Sequence, residues 1–414
     1  MRILIVSTFD LLGGAARAAF RLHKSLLSSG VDSQMLVQTK SSDDCTIIGP
    51  LNKVQKAINM LRPTLDNLPV HLYKNRTKTL FSPAWLPFSS IVDRINKINP
   101  DIVHLHWIAG GMIRIEDIAK IRAPIVWSLH DNWAFTGGCH IKWDCEKYRK
   151  YCGACPRLGS KIENDLSKKI FKRKLKTFSK KEMVIIGLSR WINECSKNSA
   201  LLKDKRHINL PNHIDTNIFK PFDKEKARDL WNLPKNKKLV LFGAMIATSD
   251  INKGFKELSE ALNKQIDNNI ELVVYGSSKP KQPQNFPFNA YYLGHLHDDV
   301  SLVTLYSAVD VMVVPSLQEN LSNTIMESLA CGTPVVAFDV GGNRDMIDHQ
   351  INGYLAKPFE SDDLANGIEW VLNAPNHDKL CQNAREKVMR EFDSKVVAKK
   401  YIELYKEILN DKHK

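Results

Sequence analysis

Short, uninterrupted apolar runs alternate along this chain with longer stretches in which apolar positions recur every three or four residues. Residues 2–6 read as a buried strand, a loop covers 7–14, a helix is predicted over about 15–29, and a second strand lies near 33–37. Further strands are predicted at 102–106, 124–129 and 184–188. A second round follows at 238–243, 270–276, 291–294, 311–315 and 335–338. Runs that are apolar on both faces suit parallel strands covered by helices on each side. The pattern therefore predicts an α/β chain of two doubly wound domains. The first is expected over 1–209 and the second over 210–392, joined through the linker 210–221. A last amphipathic helix over about 393–410 carries Val396, Val397, Tyr401, Leu404, Tyr405 and Leu409 on one face.

The most informative stretch follows the strand 311–315. Glu319 falls in the loop after it and Glu327 about two turns into the next helix. In an open parallel sheet, ligands bind at this edge, and helix amides there favour an anion such as a diphosphate. Two unrelated helix-favouring acids would be the plain alternative. The surrounding pattern is specific, however: Pro315-Ser316, then Glu319, seven residues, Glu327, then Ser328-Leu329-Ala330-Cys331-Gly332-Thr333-Pro334-Val335-Val336-Ala337 and Gly341-Gly342. It resembles the signature of the retaining glycosyltransferases of family 4.

That resemblance implies a GT-B fold: two Rossmann-like domains facing a cleft, with the terminal helix 393–414 crossing back onto the first. It assigns Glu327 to the ribose of a nucleotide donor and Glu319 to the donor hexose, with the amides near Ser322, Asn323 and Thr324 on the diphosphate. Lys253 matches the family's phosphate-binding lysine, whereas Ala244 stands in place of its arginine. His130, just after the strand 124–129, matches the family's cleft histidine near the sugar; a hydrogen-bonded strand-end histidine is the bland alternative. His104 and His106, one strand earlier, are expected to shape the sheet edge. Gly13-Gly14 open the first helix and let the backbone approach a ligand closely; they do not form the Gly-x-Gly-x-x-Gly of a hydride-transfer enzyme. The linker Pro211-Asn212-His213-Ile214-Asp215 resembles the family's interdomain stretch, with His213 in place of a glycine.

Composition changes this picture little. The 414 residues, 43% hydrophobic, are enough for two to three domains of about 150 residues each. No run approaches the roughly 18–20 apolar residues of a membrane span, and the start is a strand too short for a signal peptide, so a cytoplasmic location is expected. Charge adds more: 59 basic against 45 acidic residues give +14. The densest part, 168–181, has Ile170, Phe171, Leu175 and Phe178 at near-helical spacing. It reads equally as a cationic helix for an anionic bilayer and as a solvated face whose stripe packs on its own domain. The stretch 51–87 is a second candidate for lipid or acceptor contact, or else a packed excursion of the first domain. No nucleic-acid motif accompanies the charge, so a nucleic-acid partner is not expected.

Four of the eight cysteines, Cys139, Cys145, Cys152 and Cys155, fall within the loop 136–160 and end in Cys-Gly-Ala-Cys. Spacing of this kind suits a closed, structural zinc site, free thiols being the alternative. The other cysteines are scattered.

The expected activity is a retaining hexosyl transfer from a nucleotide diphosphate sugar, with no catalytic metal. The expected acceptor is a lipid-linked oligosaccharide of surface polysaccharide assembly, which would place the protein peripherally on the inner membrane face. A GT-B epimerase or phosphorylase, and a non-catalytic basic scaffold or nucleic-acid binder, are the rival readings.

Overall fold

The computed structural model describes residues 1–243, 249–264, 269–278, 286–296 and 298–411. The chain divides into two compact units: Met1–Asn212 with the segment from Ala398 onward, and His213–Val397.

The first unit holds strands β1 (Arg2–Phe9), β2 (Asp32–Thr39), β3 (Ile47–Ile48), β4 (Ile102–Leu105), β5 (Ile125–Leu129), β6 (Met183–Gly187) and β7 (Arg206–Asn209). They form one parallel sheet in the order β3-β2-β1-β4-β5-β6-β7. Its helices are α1 (Gly14–Ser28), α2 (Lys53–Asn67), α3 (Ile91–Ile98), α4 (Leu166–Phe178) and α5 (Arg190–Lys197). The central strands β4 and β5 are buried at every position, as parallel strands covered on both faces must be.

The second unit holds β8 (Lys238–Gly243), β9 (Ile270–Tyr275), β10 (Ala290–Tyr292), β11 (Val311–Val314), β12 (Val335–Phe338) and β13 (Gly353–Ala356), parallel in the order β10-β9-β8-β11-β12-β13. Its helices are α6 (Lys224–Leu230), α7 (Phe255–Lys264), α8 (Asp299–Ala308), α9 (Asn323–Ala330), α10 (Asn343–Met346), α11 (Ser361–Leu372) and α12 (His377–Glu391). In each sheet the strand order reverses once, between β1 and β4 and between β8 and β11. The carboxyl ends of those four strands are the places where such sheets bind ligands.

Three strands, β3, β7 and β13, are absent from the sequence expectation. All lie at sheet edges, where the apolar run is short or half-buried and leaves a weak pattern.

Helix α13 (Ser394–Asp411) starts in the second unit and, from Ala398, belongs to the first. There Tyr401 and Tyr405 are fully buried, and the Tyr405 hydroxyl lies 2.7 Å from His104 Nδ1, whose Nε2 is 2.8 Å from Ser128 Oγ. Burial pushes the His104 ring down to about 3, so it is neutral and donates through one nitrogen while accepting at the other.

Helix α4 settles the open reading of the basic run. Its Ile170, Phe171 and Phe178 are buried, and the Lys174 ammonium is buried with them, donating to the carbonyls of Trp133 and Thr136. Three of the stripe's four apolar residues pack on their own unit and only Leu175 of the four is exposed, so this helix offers a bilayer no continuous apolar face.

Truncating Tyr405 to Ala is expected to cost about 3–5 kcal/mol, because it opens a cavity and strands the buried His104. Lys400→Ala, on the exposed side of the same helix, should stay within about 0.5 kcal/mol. Urea unfolding of both variants checks this, and equal midpoints would contradict it.

Candidate functional site

In the second unit the site forms at the strand-order reversal. The turn after β11 runs from Pro315 to Ser322, and it is laced to the loop after β8. Asn252 Nδ2 donates to the Gln318 carbonyl at 2.9 Å and the Leu317 N–H to the Asn252 carbonyl at 2.9 Å. Gly254, at φ 70, leaves no room for a side chain: a Cβ there would lie 1.9 Å from the Pro315 oxygen. On the other side Gly341, at φ 57, would set a Cβ 1.7 Å from the Glu319 oxygen, to which the Gly342 N–H donates at 3.2 Å.

This lacing brings Lys253 and Glu319 together. Lys253 Nζ lies 3.1 Å from Glu319 Oε2, and the Asn320 N–H donates to Oε1 at 3.2 Å. The Glu319 carboxylate raises the Lys253 ammonium above its ordinary value, against the pull of burial.

Ser322 caps α9 by accepting from the Ile325 N–H, and its hydroxyl is 2.8 Å from that of Thr324. Glu327 lies on α9 little more than one turn from the start of the helix, closer than the two turns expected, and is 3% exposed. Tyr306 on α8 donates to its Oε2 at 3.0 Å, and Tyr275 lies 2.7 Å from the Tyr306 oxygen. Since the Tyr306 proton goes to Glu327, Tyr275 donates to Tyr306. Burial, with Tyr275 and Glu327 alongside, holds the Tyr306 hydroxyl well above its ordinary value, so it remains a donor. Gly243 makes this possible, because a Cβ there would lie 1.9 Å from the Tyr275 ring. Sequence reading missed both tyrosines; the signal available was Gly243 at the end of β8. Ala244 lies outside the described residues.

In the first unit Gly13, at φ 90, precedes α1, and Gly14 is its first residue. Such a backbone angle favours glycine, and the first amides of α1, at the end of a βα turn, lack partners within the helix. His130 follows β5 and has Nε2 2.8 Å from His106 Nδ1; burial pushes its ring down to about 4. Its neighbour Asp131 takes the indole N–H of Trp107 at 2.8 Å and pairs with His140 Nδ1 at 2.6 Å. Burial works to raise the Asp131 carboxyl, but His140 and these hydrogen bonds outweigh it and hold the group below its ordinary value. The sequence reading did not single out His140 or Trp107.

The four loop cysteines line a single cavity of about 20 Å³ together with Lys142, Lys147 and Arg157. The Gly137 N–H donates to Cys152 Sγ at 3.2 Å, and Lys147 Nζ donates to the carbonyls of Gly153 and Ala154. Burial and the neighbouring thiols push Cys139 up to about 12. Among the described residues, no three His, Cys, Asp or Glu side chains converge closely enough to hold a metal ion as they stand.

Gly341→Ala should destabilise by roughly 3 kcal/mol or more, since the added methyl meets backbone and the angle is left-handed. Gly30→Ala, at φ 77 with nothing within 4 Å, should lose only about 1 kcal/mol. Thermal unfolding of the pair isolates the contact; equal losses would refute it.

Residues 223–388 match the family model described as glycosyl transferases group 1. A Campylobacter jejuni N,N'-diacetylbacillosaminyl-diphospho-undecaprenol alpha-1,3-N-acetylgalactosaminyltransferase is 26% identical over 226 residues, 53% of this chain and 58% of that protein. The chain spans about half the length of the curated relatives it matches. Among solved structures, sucrose-phosphate synthase of Thermosynechococcus elongatus aligns over 99% of both chains with a TM-score of 0.71 at 20% identity. Anabaena HepE, in complex with UDP-glucose, aligns over 98% of this chain and 100% of its own, with a TM-score of 0.64 at 16% identity. The two parallel sheets and these neighbours make the fold GT-B, and residues 223–388 are similar to the glycosyl transferases group 1.

Proposed function

We propose that this protein is a retaining hexosyltransferase that moves a sugar from a nucleotide diphosphate donor to an acceptor hydroxyl. The acceptor in this reading is a lipid-linked oligosaccharide of surface polysaccharide assembly: capsule, O-antigen or exopolysaccharide. The observation that carries it is the arrangement at the β8–β11 reversal, where Lys253 and Glu319 are paired beside the start of α9 and Glu327 is held on that helix by Tyr306. This lies inside the segment that matches the glycosyl transferase group 1 family.

Glu327 would accept hydrogen bonds from the ribose hydroxyls, its carboxylate already aimed by Tyr306. The α9 amides at Asn323 and Thr324, with the capping Ser322, would meet the diphosphate, and Lys253 would supply a cation at the same edge. No divalent ion is part of this proposal. Because Lys253 is paired with Glu319, a bound phosphate would share the ammonium and leave Glu319 free to take a sugar hydroxyl. The roles of His130 beside the sugar and of Gly13-Gly14 in the first helix turn rest on the family resemblance.

Retention follows if the acceptor oxygen attacks the anomeric carbon from the face the diphosphate leaves. The bond from that carbon to the phosphate oxygen breaks as the new one forms, and the departing oxygen takes the acceptor's proton. The UDP-glucose complex of Anabaena HepE supports a nucleotide-sugar donor, and the name of the Campylobacter relative supports a lipid diphosphate acceptor.

A structural zinc held by Cys139, Cys145, Cys152 and Cys155 belongs to the same proposal. Their shared cavity and its basic lining support it, because a tetrathiolate zinc carries net negative charge. The thiols would have to turn about their Cα–Cβ bonds to converge.

Screening nucleotide sugars by thermal shift should find a stabilising donor, against which Glu327→Ala loses roughly 10- to 100-fold in affinity by calorimetry. Unchanged affinity would refute the ribose role. Free epimer or sugar phosphate as product would favour the rival enzymes, and nucleic-acid binding without nucleotide-sugar binding would favour the scaffold.

For the cysteines, elemental analysis of chain purified under reducing conditions should find about one zinc per chain. Less than half an equivalent, also after zinc is added back, would sink that assignment.

A further inference from the structure

Helix α2 is turned inside out relative to its unit. Its buried residues are Asn59, Arg62 and Asp66, all polar and all on one face. Asn59 Nδ2 donates to the Gln38 carbonyl at 2.8 Å and Arg62 Nε to the Gly111 carbonyl at 2.6 Å. Asp66 accepts from the Ala84 and Trp85 N–H groups, at 3.2 and 3.1 Å.

At about 100° per residue, Val54, Ile58, Leu61 and Leu65 fall within a narrow stripe roughly 100° round the helix from that polar face. All four are exposed, between 43% and 69%. The apolar surface continues beyond the helix with Leu68 and Leu72. Beside it, the loop tied to Arg62 through the Pro87 carbonyl presents Phe88, which is 96% exposed. Rolling α2 to bury the stripe would break all the bonds of its polar face, so the outward orientation is fixed by hydrogen bonding.

Charge identifies what covers this stripe. Residues 51–88 contain six Lys or Arg and a single carboxylate, Asp66, which is buried. Lys53, Lys56, Lys74 and Lys78 are exposed, so a second copy docked by the same face would oppose cation to cation. An anionic bilayer meets both demands: the stripe enters the boundary between headgroups and acyl chains while Lys53 on its flank and the lysines of the segment that follows meet the lipid charges. We propose that α2, with the segment that follows it, lies flat on an anionic lipid surface and docks the first unit there. Among the described residues no helix is long and apolar enough to cross a membrane, and this mode requires none. The inference stands on the first unit's geometry alone, so the transferase reading and this one fail separately.

The test is cosedimentation of the full chain with phosphatidylglycerol-containing vesicles and with pure phosphatidylcholine vesicles. The wild type should bind the anionic vesicles more tightly, and more weakly as salt rises. The Ile58→Ser, Leu61→Ser, Leu65→Ser triple variant should lose at least about tenfold in partitioning with an unchanged melting temperature, since these side chains support no core. Lys53→Glu, on the flank of the stripe, should lose about fivefold or more at low salt. No binding to anionic vesicles, equal binding by the triple variant, or equal binding to neutral vesicles would overturn the proposal. A concentration-dependent dimer abolished by the triple variant would assign the face to a second copy instead.

Discussion

The turn that carries Glu319 depends on backbone meeting backbone where no side chain fits. Gly254 packs against the Pro315 oxygen and Gly341 against the Glu319 oxygen, while Asn252 and Gly342 donate into the same turn. Lys253 sits between Asn252 and Gly254 and inherits its position from them. The Lys253–Glu319 pair is therefore placed mainly by main chain, which reduces the freedom its partly exposed side chains must lose to meet. A ligand at this edge would find its polar partners already in register.

The two carboxylates are held by different means. Glu319 lies in a loop beside a cation and keeps some contact with solvent; Glu327 is nearly sealed on α9 and takes its orientation from Tyr306, itself steered by Tyr275. Gly243 belongs to this second arrangement as Gly254 and Gly341 belong to the first, because each removes a Cβ that would fill the space another group needs. One acid sits where its ion pair could be exchanged for another partner, whereas the other presents a fixed acceptor.

Much of this fold was legible in the sequence because parallel strands covered on both sides leave uninterrupted apolar runs. β4, β5, β11 and β12 are of that kind, and the expected strands fell on them. The edge strands β3, β7 and β13 were not legible, since an edge buries less and needs fewer apolar residues. Within the site, Lys253, Glu319 and Glu327 stood in a motif, so their neighbourhood was readable. Tyr275 and Tyr306 come from separate strand and helix segments and look like ordinary core. Only the three-dimensional approach of their hydroxyls makes them partners of Glu327.

Periodicity reports that a helix has two faces but not which one turns inward, and α2 and α4 show why. Both carry apolar residues at helical spacing among lysines, and α4, the more basic, looked like the stronger lipid-facing candidate. In α4 the inward positions include Phe171 and Phe178, with Lys174 accommodated because the Trp133 and Thr136 carbonyls receive its protons. In α2 the inward positions are Asn59, Arg62 and Asp66, and the unit supplies carbonyls and amides for each of them. Leaving buried polar groups unpaired costs about 1–3 kcal/mol apiece, comparable with what burying an apolar side chain contributes. The orientation is therefore decided by where the rest of the unit offers hydrogen-bond partners, and that information lies in Gln38, Ala84, Trp85 and Gly111, far from the helix in sequence.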